Sequence, residues 1–111
     1  MPIRRCRDKR TARFLAGEHV REFQGFAEAA AKALTKLQAA TVLGDLLFPP
    51  SNNFEALSGD RKGQYSIRIN RRYRVCFTWV VTGSAATNAT TETDLLKMIG
   101  DADNVEITDY H

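Results

Sequence analysis

The chain has 111 residues and a formal net charge of +3; 43% of its residues are hydrophobic and 26% are charged. This length and composition predict one globular domain with a single modest core. The sequence has no apolar run of the roughly 18 residues that a membrane span needs, and its start, MPIRRCRDKR, lacks the apolar region of a signal peptide. We therefore expect a cytoplasmic protein that does not enter a membrane.

Cysteine and histidine are too few and too scattered to predict a metal site. Cys6 and Cys76 belong to no CxxC motif, and the two histidines are His19 and His111. A structural zinc site takes four such ligands at characteristic spacings. The sequence therefore predicts reduced thiols, no metal and no cofactor.

Positive charge is concentrated in two blocks of the sequence. Residues 1–21 contain seven Arg or Lys and two acidic residues, and residues 61–74 contain six Arg or Lys and no acidic residue. Such clustering is expected of a phosphate-binding surface, although an acidic protein partner would favour it equally.

The first half of the chain has the pattern of two helices. Asp8 is a suitable N-cap for a short first helix, and Gly17 suits the position just after its end. Apolar residues then recur every three or four positions over residues 20–40, which predicts a longer amphipathic helix. Because Gly25 disfavours a helix, we expect its stable part to begin near Phe26.

Shorter elements are predicted around these helices. Residues 41–48 should form one further helical turn, which Pro49 and Pro50 stop. Residues 54–57 suit a brief strand, and residues 3–7 suit a short edge strand.

The segment SGDRKGQYSIRINRRYRVCFTW, residues 58–79, predicts a loop followed by a β-hairpin, because apolar and polar residues alternate on both sides of a polar break. A two-residue loop would pair apolar with charged residues, whereas a three-residue loop at 70–72 keeps the two faces separate. This register places Arg68 opposite Arg74. Like charges directly opposite each other destabilise a sheet, so either both side chains point into solvent or they bind an anion.

The end of the chain predicts a loop and a last strand. Residues 81–104 contain the polar run GSAATNATTETD and are expected to form a loop, with room for one or two helical turns after Thr91. Residues 105–110 alternate again and predict the last strand.

The pairing of LSGDRKGQYSIRIN with YRVCFTW, followed by the ending VEITDYH, resembles the HigB or "killer protein" branch of the RelE/ParE toxin superfamily. RDKRTARFLAG and AATVLGDLLFPPSN are similar to that branch as well. The resemblance covers about residues 1–80 and 104–111. It implies an α+β, RelE-like fold with two N-terminal helices packed on a curved, mainly antiparallel sheet of four to five strands. Residues 1–111 then form a single toxin domain with an atypical insertion at about 81–104.

The resemblance also implies a function. Toxins of this branch belong to type II toxin-antitoxin systems and cut mRNA in the ribosomal A site without a metal, through attack by the 2′-hydroxyl. Implied partners are a helix-turn-helix, HigA-like antitoxin, the ribosome with its mRNA, and operator DNA indirectly through the antitoxin.

The same comparison implies site residues. Arg74 lies where the branch keeps an arginine against the scissile phosphate, and the terminal DYH adds the other implied catalytic residues: Asp109, Tyr110 and His111. Five basic residues are candidates for binding RNA or the ribosome: Arg61, Lys62, Arg68, Arg71 and Arg72. Guanidinium groups suit phosphate oxygens, and imidazole suits proton transfer near neutral pH. Strict alternation, however, sends Asp109 and His111 to the core side of the last strand and Tyr110 to the other side.

Two positions depart from part of the branch. Some HigB toxins have histidine and lysine where this chain has Glu55 and Ser58. These departures, with the insertion, leave open an impaired toxin that binds only its antitoxin and operator DNA. A ParE-like gyrase inhibitor is a further alternative, because the ParE arm of the superfamily shares the fold without the RNA chemistry.

Overall fold

The computed structural model describes residues 3–82 and 96–109. Within these residues, two α-helices pack on one face of a four-stranded antiparallel sheet whose strand order follows the chain. The helices are α1 (Lys9–Leu15) and α2 (Ala27–Ala39), and the strands are β1 (Glu55–Ala56), β2 (Tyr65–Arg68), β3 (Arg74–Val81) and β4 (Gly100–Thr108). The predicted α+β class, with two N-terminal helices on a mainly antiparallel sheet, is confirmed.

The helices begin and end close to the predicted positions. Asp8 is the N-cap residue of α1, and Gly17 follows the helix with a φ of +91°, a left-handed conformation that glycine adopts without strain. Residues 21–26, which include Gly25, form a 3₁₀ helix, and the α-helix proper begins at Ala27. None of the described helices is long and apolar enough to cross a membrane.

The connection from α2 to the sheet is organised by a buried asparagine. Residues 43–47 form the predicted extra turn, here a 3₁₀ helix. The Asn52 amide then donates to the backbone oxygens of Leu46 and Phe48, both at 3.1 Å. Lys36 donates to Asn52 Oδ1 at 2.8 Å. The connection is therefore tied both to itself and to α2 before the chain enters β1.

The hairpin has the predicted register. Ile67 pairs with Val75, and Arg68 pairs with Arg74. The loop is residues 70–72, where Asn70 Oδ1 accepts hydrogen bonds from the backbone N–H groups of the two residues that close the turn. Asn suits this position because its side chain can hydrogen-bond to the backbone two or three residues on.

Strand β4 begins at Gly100, five residues earlier than the predicted start at Val105. A β-bulge explains the difference, since Asn104 and Val105 together face Phe77, and Asn104 has a φ of +53°. The predicted loop bounds of about 81–104 are wrong at both ends, because Val81 lies in β3 and Gly100 to Asn104 lie in β4. Residues 83–95 lie outside the described residues.

The N-terminal segment lies beside β4. Ile3 and Cys6 form isolated parallel bridges with Ala102 and Val105. The predicted edge strand over residues 3–7 thus pairs with the sheet at two points without forming a regular strand.

Between the helices and the sheet lies the core. Its fully buried side chains come from β2, β3, β4, α2 and the connection after α2, and include Ile67, Val75, Phe77, Ile107, Leu37 and Leu43. Alternation leaves the opposite face of the sheet, here named the open face, to polar and charged side chains.

A candidate phosphate-binding site on the open face of the sheet

One row of side chains crosses the open face through all four strands. Glu55 pairs with Ser66, Ser66 with Cys76, and Cys76 with Glu106. The row is the direct product of the hairpin register, because residues that pair across strands lie on the same face. Ser66 and Cys76 are nevertheless buried. Arg74, next to this row, extends its side chain to Ser66.

Arg74 is held at the rim of this face by three groups. Its Nη1 donates to the Asn53 backbone oxygen at 3.3 Å and to Ser66 Oγ at 3.4 Å, and its Nη2 lies 3.8 Å from Glu55 Oε1. The side chain of Arg74 is 23% exposed and that of Glu55 is 54% exposed. The guanidinium is therefore fixed in place, but its charge still reaches the solvent.

Arg68 lies directly opposite Arg74, as predicted, and is exposed. Its Nε donates to the backbone oxygen of Asn70 at 3.1 Å, which directs the side chain toward the hairpin turn. The two guanidinium groups thus do not share one partner. With Arg71 and Arg72 of the turn, they place four arginines at this end of the rim.

A second cationic group lies farther along the open face. The Glu106 carboxylate is 3.3 Å from Arg61 Nη1 and 3.6 Å from Arg7 Nη1. One carboxylate thus joins the two basic blocks of the sequence and fixes Arg61. Burial raises the pKa of the Cys76 thiol beneath them to about 11, with Arg61 acting in the opposite direction.

Asp109 was predicted to be a catalytic residue together with Arg74. In the structure it forms an ion pair with Arg72 of the hairpin turn. Arg72 Nε donates to Asp109 Oδ2 at 2.8 Å, and this hydrogen bond raises the pKa of Arg72. The carboxylate thus ties the end of the chain to the hairpin loop. Tyr110 and His111 lie outside the described residues, so their part in the site stays a prediction.

Glu55 is the site residue that sequence reasoning missed. It was noted only as a departure from some relatives, whereas the structure makes it the carboxylate beside Arg74. The signal was weak, because β1 has only two residues and its register with β2 cannot be read from alternation.

The arrangement provides a fixed cation beside an exposed carboxylate. A guanidinium can hold phosphate oxygens, and a carboxylate within reach can accept a proton. No group of three or more His, Cys, Asp or Glu side chains converges within residues 3–82 and 96–109.

Comparison with known proteins identifies the family. Residues 4–92 match the model of the RelE-like toxin of type II toxin-antitoxin system HigB. A stretch of 49 residues is 49% identical to Toxin HigB-1 of Vibrio cholerae serotype O1 (strain ATCC 39315 / El Tor Inaba N16961), covering 44% of this chain and 52% of that toxin. The chain thus spans about half the length of this curated relative. Because the family model covers most of its length, the chain belongs to the HigB family of RelE-like toxins.

Proposed function

We propose that this protein is an endoribonuclease toxin that cuts mRNA on the ribosome and thereby stops translation. The observation that supports this function best is the fixed, partly exposed guanidinium of Arg74 beside the exposed carboxylate of Glu55. A gyrase inhibitor that makes no covalent change in RNA would have no need for this pair.

In the proposed reaction, the 2′-hydroxyl of a ribonucleotide attacks the adjacent phosphorus and the bond to the 5′-oxygen of the next nucleotide breaks. The products are a 2′,3′-cyclic phosphate and a free 5′-hydroxyl. Arg74 stabilises the charge that develops on the phosphate oxygens. Glu55 accepts the proton of the 2′-hydroxyl, and His111 donates a proton to the leaving oxygen. Asp109, which accepts a hydrogen bond from Arg72 of the hairpin turn, and Tyr110 assist this proton transfer or place the substrate.

The basic residues around this site bind the nucleic-acid backbone without reading its sequence. They fall into two groups. Arg61 and Arg72 are paired with Glu106 and Asp109, which fixes their guanidinium groups at the surface. Lys62, Arg68 and Arg71 are exposed and form no ion pair with another described residue, and these three contribute charge to messenger or ribosomal RNA.

Membership of a type II system implies further partners. We propose a HigA-like helix-turn-helix antitoxin that neutralises the toxin and carries it to operator DNA. The ribosomal target places the toxin in the cytoplasm. Cleavage directed by the ribosome also explains why the described site is a shallow rim, because the ribosome itself can present the messenger.

Toeprinting of a translated message tests this function. The wild-type protein should produce cuts in register with codons, and Arg74→Ala should reduce the cleavage rate about 10²- to 10³-fold, as expected for the loss of one preorganised group that stabilises developing charge. Arg13→Ala is the matched control, because Arg13 is an exposed arginine on α1. A wild-type protein that leaves messages intact would overturn the proposal, and trapped gyrase-DNA breaks would then indicate the ParE-like function.

A further inference from the structure

A cleft of about 340 Å³ separates α2 from the hairpin turn. Lys32 and Lys36 line its helix side, and Arg68 lines its strand side. The other residues that line it are small or uncharged: Ala29, Ala33, Ser51, Ile69 and Asn70. None of the eight residues is acidic, so the cleft is lined by three positive side chains and no negative one.

Folding accounts for only part of this arrangement. Lys32 and Lys36 lie four residues apart on one face of α2, where like charges destabilise a helix. Lys36 donates one hydrogen bond to Asn52, so two of the three N–H donors of its ammonium group remain. Lys32 lies 3.7 Å from Glu28, but both side chains are largely exposed, and such pairs contribute little. The charge of both lysines is therefore available to a ligand.

The cleft begins beside the candidate site. Arg68 lines the cleft and also pairs directly with Arg74 across the β2–β3 ladder, where paired Cα atoms are within about 5.5 Å. Arg68 lies beyond the end of the β1–β2 pairing, so an RNA backbone held by Arg74 on the open face would pass Arg68 to reach the two lysines on the helix side. Ala29 and Ala33 contribute only small side chains to the cleft wall between the two lysines.

We propose that this cleft binds the phosphodiester backbone of the RNA next to the bond that is cut. A protein segment is the less suitable occupant, because protein interfaces depend on buried aromatic or large apolar anchors, and Ile69 is the one large apolar residue among the eight that line the cleft. A cleft lined by one sign of charge also concentrates counter-charged ligand before contact. The assignment rests on the proposed RNA substrate and adds Lys32 and Lys36 to the residues that hold it.

The test compares binding of a fluorescent single-stranded RNA oligonucleotide by the full chain and by Lys32→Gln/Lys36→Gln, over a range of salt concentrations. Two lost phosphate contacts should lower the slope of log affinity against log salt by about 1.4, and should weaken binding on the order of tenfold at 0.2 M salt. Lys9→Gln/Arg13→Gln is the charge-matched control on α1, which lies on the other side of α2. Ala29→Leu fills the cleft without changing charge and should also weaken binding.

Each outcome bears on the proposal. Equal loss of affinity in the cleft variant and the α1 control would mean that only net charge matters and would overturn it. Unchanged RNA binding with weaker binding of an acidic peptide would assign the cleft to a protein partner and would also overturn it. Codon-register cleavage by the wild-type protein decides the nuclease function separately, so failure of the cleft and failure of the function can be told apart.

Discussion

Replacing Glu55 with glutamine should change RNA binding and RNA cleavage in opposite directions. Glutamine keeps the shape of the side chain but removes the negative charge beside Arg74 and the ability to accept a proton. If Glu55 only neutralised Arg74, its removal would help the toxin. If it accepts the 2′-hydroxyl proton, its removal should abolish most of the chemistry.

The structure sets the size of both effects. At 3.8 Å the attraction between the two charges is about 1 kcal/mol in a water-like medium and about 4 kcal/mol at an effective dielectric constant near 20. Because Glu55 is 54% exposed, the lower value applies, and exposed pairs contribute about 0–1 kcal/mol. Phosphate binding should therefore strengthen by no more than about fivefold. Loss of a general base should slow cleavage by about 10² to 10⁴.

Single-turnover cleavage of ribosome-bound mRNA, with affinity measured separately, resolves the two effects. Glu55→Asp should restore part of the rate, because it returns a carboxylate one methylene short of the original position. Glu18→Gln is the matched control, since Glu18 is an exposed glutamate in the connection between the helices. A Glu55→Gln protein that cuts at the wild-type rate would refute the reasoning.

Three further predictions concern the fold around the site. Asn52→Ala should lower the free energy of unfolding in urea by about 1–3 kcal/mol, because a buried carbonyl at Leu46 and a partly buried one at Phe48 lose their donor. Replacing the neighbouring, exposed Ser51 with alanine should change it by less than about 0.5 kcal/mol. The thiol of Cys76, whose pKa is raised by burial from 9.0 to about 11, should resist alkylation at pH 8 until the chain unfolds. Its stabilising contribution is complete below pH 9 and should fall as pH rises toward 11, since the unfolded thiol ionises first. Gly100→Ala should destabilise the protein in thermal melts, because an added Cβ would lie 2.5 Å from the Val80 oxygen, whereas Gly25→Ala has nothing within 4 Å to meet.

Rapid labelling of native Cys76 at pH 8 would contradict the burial argument. A Gly100→Ala protein that melts with the wild type would show that β4 can move away from β3 at this point. Equal stability of the Asn52 variant would mean that water replaces the lost donor.

The sequence predicted the hairpin well because one requirement controls it. Apolar residues must stay on one face, so the three-residue loop and the pairing of Arg68 with Arg74 follow from parity alone. The limits of α1 were predicted from two local preferences instead, namely Asp8 as the N-cap residue and Gly17 just after the helix end.

The start of β4 could not be predicted in this manner. The bulge at Asn104 interrupts the alternation, so Ala102 and Val105 both face the core although three positions separate them. Alternation from Val105 onward therefore predicted a strand that was too short. The partners of Arg74 were missed for a different reason, because they depend on where the two-residue β1 meets β2, and no local pattern encodes that contact.

The bulge at Asn104 also divides β4 into two segments that pair with different parts of β3. Toward Thr108, the register of β4 decides that Glu106 reaches Arg61 and that Thr108 lies beside Arg74. Toward Gly100, the same strand only extends the ladder with Val80 and Val81. The residues that place charge at the site and those that extend the ladder toward Gly100 are thus carried by two segments of one strand, on either side of the bulge.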